Sequence, residues 1–168
     1  MKKTLLILLA TLFAVSLVNA QAVAKKKANK DTERFRYEIE CAGNGAQGTF
    51  LVKVWSYSKK KQVAADQCLK NAVHGIIFKG YSGANGCVAQ RPLVTNPGVE
   101  MEYEDYFKSF FDSKDGNFRR YASALNGTYE TVKVGKEYKI GTVISVRKDE
   151  LRKALEQAGV IKALNAGF

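Results

Sequence analysis

Thiol and imidazole side chains are the groups in this sequence best suited to nucleophilic or acid–base chemistry. The chain holds three cysteines and a single histidine, His74. A catalytic thiolate needs a histidine or another cation beside the sulfur. Cys68 and His74 fall on opposite faces of the helix that their surroundings predict, so they do not form such a pair. We therefore predict that His74 is a surface residue and that Cys68 is a buried thiol.

The same cysteines allow one disulfide. Three cysteines in an exported chain permit one bond and leave one thiol over. Cys41 ends a predicted strand, whereas Cys87 lies in an irregular segment. We expect Cys87 to be bonded to Cys41 or to Cys68, and the sequence does not choose between them. Such a bond would contribute about 2–4 kcal/mol to stability.

Gly43, Gly45 and Gly48 match the spacing of a dinucleotide-binding loop. That motif needs a helix directly after the glycines, because the helix N-terminus receives the pyrophosphate. Here the glycines lead into residues 49–57, whose apolar side chains alternate as in a strand. We interpret them as a hairpin turn between antiparallel strands and assign no cofactor.

Carboxylates are concentrated between Glu100 and Asp105. Successive carboxylates on a helix point to different faces, and no calcium-binding loop follows them. They are better explained as the solvated start of a helix, where the helix dipole favours negative charge. We assign no metal site.

Two periodicities predict the elements that position these groups. Alternating apolar residues indicate strands at 35–41, 49–57, 129–135 and 138–146, and helical spacing indicates a long helix from about Lys61 to Gly80 and a C-terminal helix over 149–158. Helices are also predicted over 99–111 and near Phe118 and Leu125. The fold class is therefore α+β: a mainly antiparallel sheet of about four strands, formed by two hairpins, with a long central helix and a C-terminal helix packed on it. A single domain spans 33–168 and contains an irregular insert at about 81–98.

The N-terminus is typical of a secretory signal peptide. Lys2 and Lys3 precede an apolar run over residues 5–18, and small or compact residues occupy 18–20. We predict cleavage after Ala20, a flexible basic tail over 21–32, and export to the periplasm or the exterior of a bacterial cell. No second apolar segment is long enough to span a membrane.

The excess positive charge limits the kinds of partner that the protein could bind. The formal net charge is +11, which suits either solubility among anionic envelope polymers or contact with nucleic acid. The alternative to a binding role is that Trp55 packs beneath the helix while the lysines only solvate a turn. The candidate binding residues are aromatic or basic and lie near the strand–helix turn and in the insert: Trp55, Tyr57, Lys59, Lys60, Lys61, Tyr81 and Arg91.

Two segments resemble a family of small bacterial envelope proteins. The first is the strand and alanine-rich helix within Gly48–Ile77, and the second, Val132–Leu155, contains Gly135-Lys136-Glu137-Tyr138. Both are similar to the N-terminal domain of flagellar-assembly T proteins and to related small outer-membrane lipoproteins. The resemblance implies a non-enzymatic envelope or assembly module.

The sequence as a whole favours a binding role over catalysis. Our leading prediction is an exported, non-enzymatic envelope module that mediates macromolecular interaction or surface assembly with a protein partner. The alternative is a basic protein that binds nucleic acid or another anionic polymer. A weaker alternative is a small secreted hydrolase that uses dispersed residues around Cys87 or His74. The oligomeric state is not indicated.

Overall fold

A computed structural model describes residues 35–83, 86–112, 114–125 and 127–164, the side chains at 62–66 excepted. The predicted signal peptide (1–20) and basic tail (21–32) lie outside these ranges and stay predictions. Within the described ranges, no helix combines the length and apolarity needed to cross a membrane.

Five strands form one antiparallel sheet. They are β1 (Tyr37–Gly43), β2 (Phe50–Ser58), β3 (Ala122–Ala124), β4 (Glu130–Val134) and β5 (Glu137–Val146). β2 pairs with β5 along its whole length, β1 pairs with the other edge of β2, and β3 and β4 share the other edge of β5. The predictions of an α+β fold, a mainly antiparallel sheet and two hairpins are confirmed, although the sheet has five strands instead of four.

The additional strand is β3. Aromatic and apolar spacing around Phe118 and Leu125 predicted a short helical segment, but a 3-10 helix covers only Asn117–Arg120 and β3 follows soon after it. β3 pairs with residues 144–146 of β5, beside β4. A strand of three residues is too short to show a period, and its pairing with β5 decides its conformation.

Four α-helices occur in the described ranges. They are α1 (Lys61–Phe78), α2 (Val99–Glu102), α3 (Glu104–Phe110) and α4 (Lys148–Gln157). α1 lies along one face of the sheet, where it contacts β2 and β5. α3 packs against α1, since the ring of Phe107 is 4.9 Å from that of Phe78. The prediction of a long central helix is not supported, because α1 is one of four helices in the described ranges and covers a single face of the sheet.

The hydrophobic core fills the space between the sheet and α1. Alternation along β2 and β5 directs Val52, Val54, Ile140 and Ile144 toward the helix, and all four are almost completely buried. Small residues on α1 allow the helix to approach closely: a side chain at Gly75 would lie 2.6 Å from the Cδ1 atom of Ile39. Burial of these apolar groups supplies most of the folding free energy.

A disulfide joins Cys41 of β1 to Cys87 in the insert. The backbones of Tyr81 and Gln90 pair at the base of the insert, so the segment is held at two places. Cys68 is the free thiol; it is buried on α1, and burial raises its pKa to about 11. A disulfide points to an oxidising compartment. Export itself stays a prediction.

The disulfide gives the first testable prediction. Replacing both Cys41 and Cys87 by serine should lower the free energy of unfolding by about 2–4 kcal/mol, because the unfolded chain loses a cross-link between distant residues. Urea titration followed by circular dichroism measures this difference. Reductant should destabilise the wild-type protein and leave the double variant unchanged; an equal response of both proteins would contradict a stabilising role for the bond.

Candidate functional site

The pleat of β2 divides its side chains between two environments. Val52 and Val54 point toward α1, and Lys53, Trp55 and Tyr57 point to the opposite side, where each is only partly buried. We call this side the open face. The charged, aromatic and glycine residues of this face in β1, β2, β4 and β5 include Glu38, Glu40, Lys53, Trp55, Tyr57, Glu130, Glu137, Lys139 and Gly141.

Trp55 lies against Gly141, its direct partner on β5. A Cβ atom built on Gly141 would be 2.5 Å from two carbons of the indole ring, so a larger residue at this position would displace the ring. The indole nitrogen donates a hydrogen bond of 3.1 Å to Glu40. Trp55 is therefore held in one orientation while part of its ring remains accessible.

Two lysines approach the same indole ring. The ammonium group of Lys53 is 4.5 Å from the ring centroid and that of Lys139 is 5.2 Å away, within the range of cation–π attraction. Each ammonium also pairs with a carboxylate, Lys53 with Glu130 at 2.7 Å and Lys139 with Glu38 at 2.8 Å. The cations are thus neutralised locally and do not form an unpaired positive patch.

Glu38 connects Lys139 to the second aromatic residue, Tyr57. It accepts a hydrogen bond of 2.8 Å from the Lys139 ammonium and one of 2.5 Å from the Tyr57 hydroxyl. Both hydrogen bonds lower the pKa of Glu38, and the bond from Lys139 has the larger effect. The bond between Glu38 and Lys139 also raises the pKa of Lys139. Beside them, Arg36 forms two hydrogen bonds of 2.9 Å to Glu137. The open face is consequently aromatic and densely hydrogen-bonded, with cations and carboxylates in balance.

The predicted binding residues do not form one surface. Trp55 and Tyr57 lie together on the open face. Lys59 and Lys60 are exposed at the turn after β2, and Lys61 begins α1 with its ammonium 5.4 Å from the ring of Tyr138.

The two candidates from the insert lie elsewhere. Tyr81 packs edge-on against Phe50, 5.8 Å between ring centroids. Phe50 begins β2 and Ser58 ends it, so Tyr81 is near one end of the strand and the lysines follow the other end; the strand itself is roughly 26 Å long. Arg91 is exposed in the insert.

The sequence-based prediction missed Lys53, Lys139 and Gly141, which complete the surroundings of Trp55. Lys53 shares a strand face with Trp55, and this spacing is visible in the sequence. Lys139 and Gly141 belong to β5, far along the chain, and they meet Trp55 only through the register of the β2–β5 pair. Matching the apolar faces of the two strands is the signal that could have given this register.

The prediction that His74 is a surface residue is wrong. Its side chain is 6% exposed and lies between Tyr37, whose hydroxyl is 2.7 Å from Nδ1, and Phe35, whose ring stacks on the imidazole at 3.7 Å. Burial lowers the pKa of His74 to about 3, assisted by the nearby Lys79 and Lys70 ammonium groups. The imidazole is therefore neutral at pH 7.

A neutral imidazole determines the direction of its hydrogen bonds. With Tyr37 donating to Nδ1, the proton resides on Nε2, which faces Glu100 Oε1 at 3.4 Å. The contact with Glu100 is a hydrogen bond and not a salt bridge. Burial, with Glu100 as a second cause, raises the pKa of Tyr37, so its hydroxyl stays protonated.

His74 belongs to a polar stripe of α1 that is buried in the fold. At His74 the stripe is closed by Phe111, whose ring is 5.6 Å from the imidazole, whereas at Asn71 it faces the core side of β2. Hydrogen bonds satisfy the buried stripe, among them one of 2.8 Å from Asn71 to Ser56. The members of the stripe are Gln67, Lys70, Asn71 and His74.

A cleft of about 430 Å³ adjoins His74 between α1 and α3. Its floor is aromatic, and its polar lining mixes signs, with Lys70 and Lys108 opposing Glu100, Glu104 and Asp112. Lys108 pairs with Glu104 at 2.8 Å. The ring of Phe35 stacks on the imidazole of His74 and also lines the cleft, so it lies between the imidazole and part of the cleft. The mixture of charges does not select one class of ligand.

The residues considered for catalysis are not assembled around a reactive group. The sulfur of Cys87 is in the disulfide, so a thiolate mechanism at Cys87 is excluded while that bond is intact. His74 is neutral and bonded to Tyr37. In the described ranges, histidine, cysteine and carboxylate side chains form no group suited to a metal ion.

Comparison of the chain with protein-family models, curated proteins and solved structures finds no match. The resemblance to small envelope proteins therefore stays a prediction.

The contact between Trp55 and Gly141 predicts a strong coupling between these positions. Gly141→Ala should destabilise the protein by about 1–3 kcal/mol, because the new methyl group overlaps the indole ring. In a Trp55→Ala background the same change should cost nothing or stabilise slightly, since alanine suits a strand better than glycine. A double-mutant cycle from urea unfolding measures the difference; equal effects of Gly141→Ala in both backgrounds would contradict the contact.

Burial of neutral His74 predicts a loss of stability in acid. The unfolded imidazole has a pKa near 6.5, whereas the folded one has a pKa of about 3. Between these values the unfolded state binds one more proton, so stability should fall as the pH decreases, by at most about 1.4 kcal/mol per pH unit. Urea unfolding at pH 7, 5 and 4 measures the slope.

His74→Asn is the matched control for this pH dependence. Asparagine keeps an acceptor near the Tyr37 hydroxyl but does not titrate, while the carboxylates titrate in both proteins. The variant should be less stable at pH 7 and show a shallower decline in stability between pH 7 and 4. Identical slopes would show that His74 is not the group responsible.

Proposed function

We propose that this protein is an exported, non-enzymatic module that binds a protein partner in the bacterial envelope through its open face. The observation that carries the proposal is the fixed and partly accessible ring of Trp55 against Gly141. Tryptophan and tyrosine dominate the binding energy of many protein interfaces, because they bury a large area and lose little side-chain entropy.

The arrangement around Trp55 favours pre-organised binding. Gly141 weakens a central strand by its conformational freedom, and it makes room for the indole ring. The hydrogen bond to Glu40 and the two lysines further restrict the ring before any partner arrives. A partner would then bury an aromatic surface without first having to order it.

The charges of the open face favour a protein partner over nucleic acid. Lys53, Lys139 and Arg36 are each paired with a glutamate, so the face offers no excess of positive charge to a phosphate backbone. Aromatic residues bordered by balanced ion pairs instead match the apolar centre and polar rim of protein interfaces.

The placement in the envelope rests on two observations. The N-terminal sequence predicts a signal peptide, and the bond between Cys41 and Cys87 suits an oxidising compartment. The resemblance to flagellar-assembly and outer-membrane modules agrees with a role in assembly. We infer a periplasmic or extracellular location on these grounds.

Intrinsic fluorescence tests the proposal directly, because Trp55 is the only tryptophan in the chain. Proteins that the module retains from an envelope extract, at low and at high salt, would be purified. Each would then be titrated into the module while the emission of Trp55 is recorded. Binding at the open face should shift the emission of Trp55 and reduce its quenching by acrylamide. Trp55→Ala should weaken retention of the same partner by at least about tenfold.

Met101→Ala provides the matched control for this experiment. Met101 is 83% exposed on α2, away from the open face, so its truncation also removes an apolar side chain from the surface. The proposal expects retention by wild type and Met101→Ala and loss with Trp55→Ala. A partner that binds all three proteins equally, with Trp55 emission unchanged, would show that the open face is not the interface.

A further inference from the structure

A shallow pocket of about 300 Å³, open to solvent, lies where the 3-10 helix, the end of β5 and α4 meet. Three cations, Arg120, Arg147 and Lys153, line it together with a single carboxylate, Glu150. We call it the arginine pocket. It shares no residue with the open face or with the cleft beside His74.

The arginine pocket differs from the open face in its charge balance. Arg147 faces Glu150 at 3.5 Å, a loose contact between two exposed side chains. Within the described part of the chain, no carboxylate pairs with Arg120 or Lys153. Two cations are thus left without a counter-charge at one cavity, whereas the lysines of the open face are all neutralised.

Ordered backbone brings these cations together. The Arg147 amide donates to the carbonyl oxygen of Tyr121 at 2.9 Å, which fixes the β5–α4 junction beside the end of the 3-10 helix. Arg120 ends that helix, which is anchored by Phe118, 2% exposed. Lys153 is carried on α4, whose buried Leu151 and Leu155 attach it to the core. The convergence is therefore a feature of the fold.

We propose that the arginine pocket binds a phosphate group. Guanidinium groups present paired donors that match phosphate oxygens, and an ammonium adds a point charge from a third direction. Like charges gathered around a cavity repel one another, and a dianion removes that repulsion while gaining charge-assisted hydrogen bonds. The cavity has room for an orthophosphate or diphosphate group, and Tyr121 and Gln157 complete its wall.

The phosphate can belong to a small molecule or to a lipid headgroup, and two probes separate these sources. Calorimetric titration with inorganic pyrophosphate at constant ionic strength tests the small molecule. Co-sedimentation with vesicles of phosphatidylglycerol and phosphatidylcholine tests the headgroup. The test variant is Arg120→Gln with Lys153→Gln. The control is Lys133→Gln with Lys136→Gln, which removes the same charge from the exposed β4–β5 hairpin.

Saturable binding of either probe should be at least about tenfold weaker in the test variant and nearly unchanged in the control. If pyrophosphate binds and only the test variant loses that binding, the ligand is a small molecule that carries phosphate. If only the vesicles bind and only the test variant loses that binding, the ligand is a lipid headgroup. Absence of saturable binding to both probes, or equal losses in both variants, would overturn the proposal. Thermal unfolding of the two variants verifies that both retain the fold.

Discussion

β2 and β5 pair along all nine residues of β2, and this pairing fixes the two faces of the sheet on which the core and the open face depend. Because side chains alternate along a strand, one register assigns Val54 and Thr142 to the core side and Trp55 and Gly141 to the open face. A slip of β2 by one residue would turn Val54 outward and bring Lys53 to the core side of β5. The hydrophobic core and the proposed binding surface are therefore two consequences of the same register.

The helix above this pair is buried on more sides than an amphipathic helix usually is. Its apolar side meets the sheet, and its polar stripe is enclosed as well, by Ser56 of β2 at Asn71 and by Phe35, Tyr37 and Phe111 at His74. Asn71 remains hydrogen-bonded there through Ser56, and His74 remains neutral through burial and Tyr37. This enclosure explains how a domain with a single sheet buries a histidine, and it links stability to the protonation state of that histidine.

Charge is distributed unevenly over a strongly basic chain. On the open face, opposite charges alternate between neighbouring strands and neutralise one another across the sheet. At the arginine pocket, three cations from separate elements meet one carboxylate. A balanced aromatic face suits a protein partner, and an unbalanced cavity suits an anion. The net charge of the chain alone would not distinguish these two surfaces.

Signals between neighbours in the chain were enough to predict the fold class and most of the strands, but not β3, which the spacing around Phe118 and Leu125 assigned to a helix. Alternation along residues 49–57 and 138–146 predicted two strands with one apolar side each, and glycines at 43–48 predicted a hairpin turn. The count of cysteines reduced the partners of Cys87 to two. Contacts between distant segments then selected Cys41 as that partner, placed Lys139 and Gly141 beside Trp55, and covered His74 with aromatic rings. Those outcomes depend on strand register and on tertiary packing, and the spacing of residues along one segment carries no record of what packs against it.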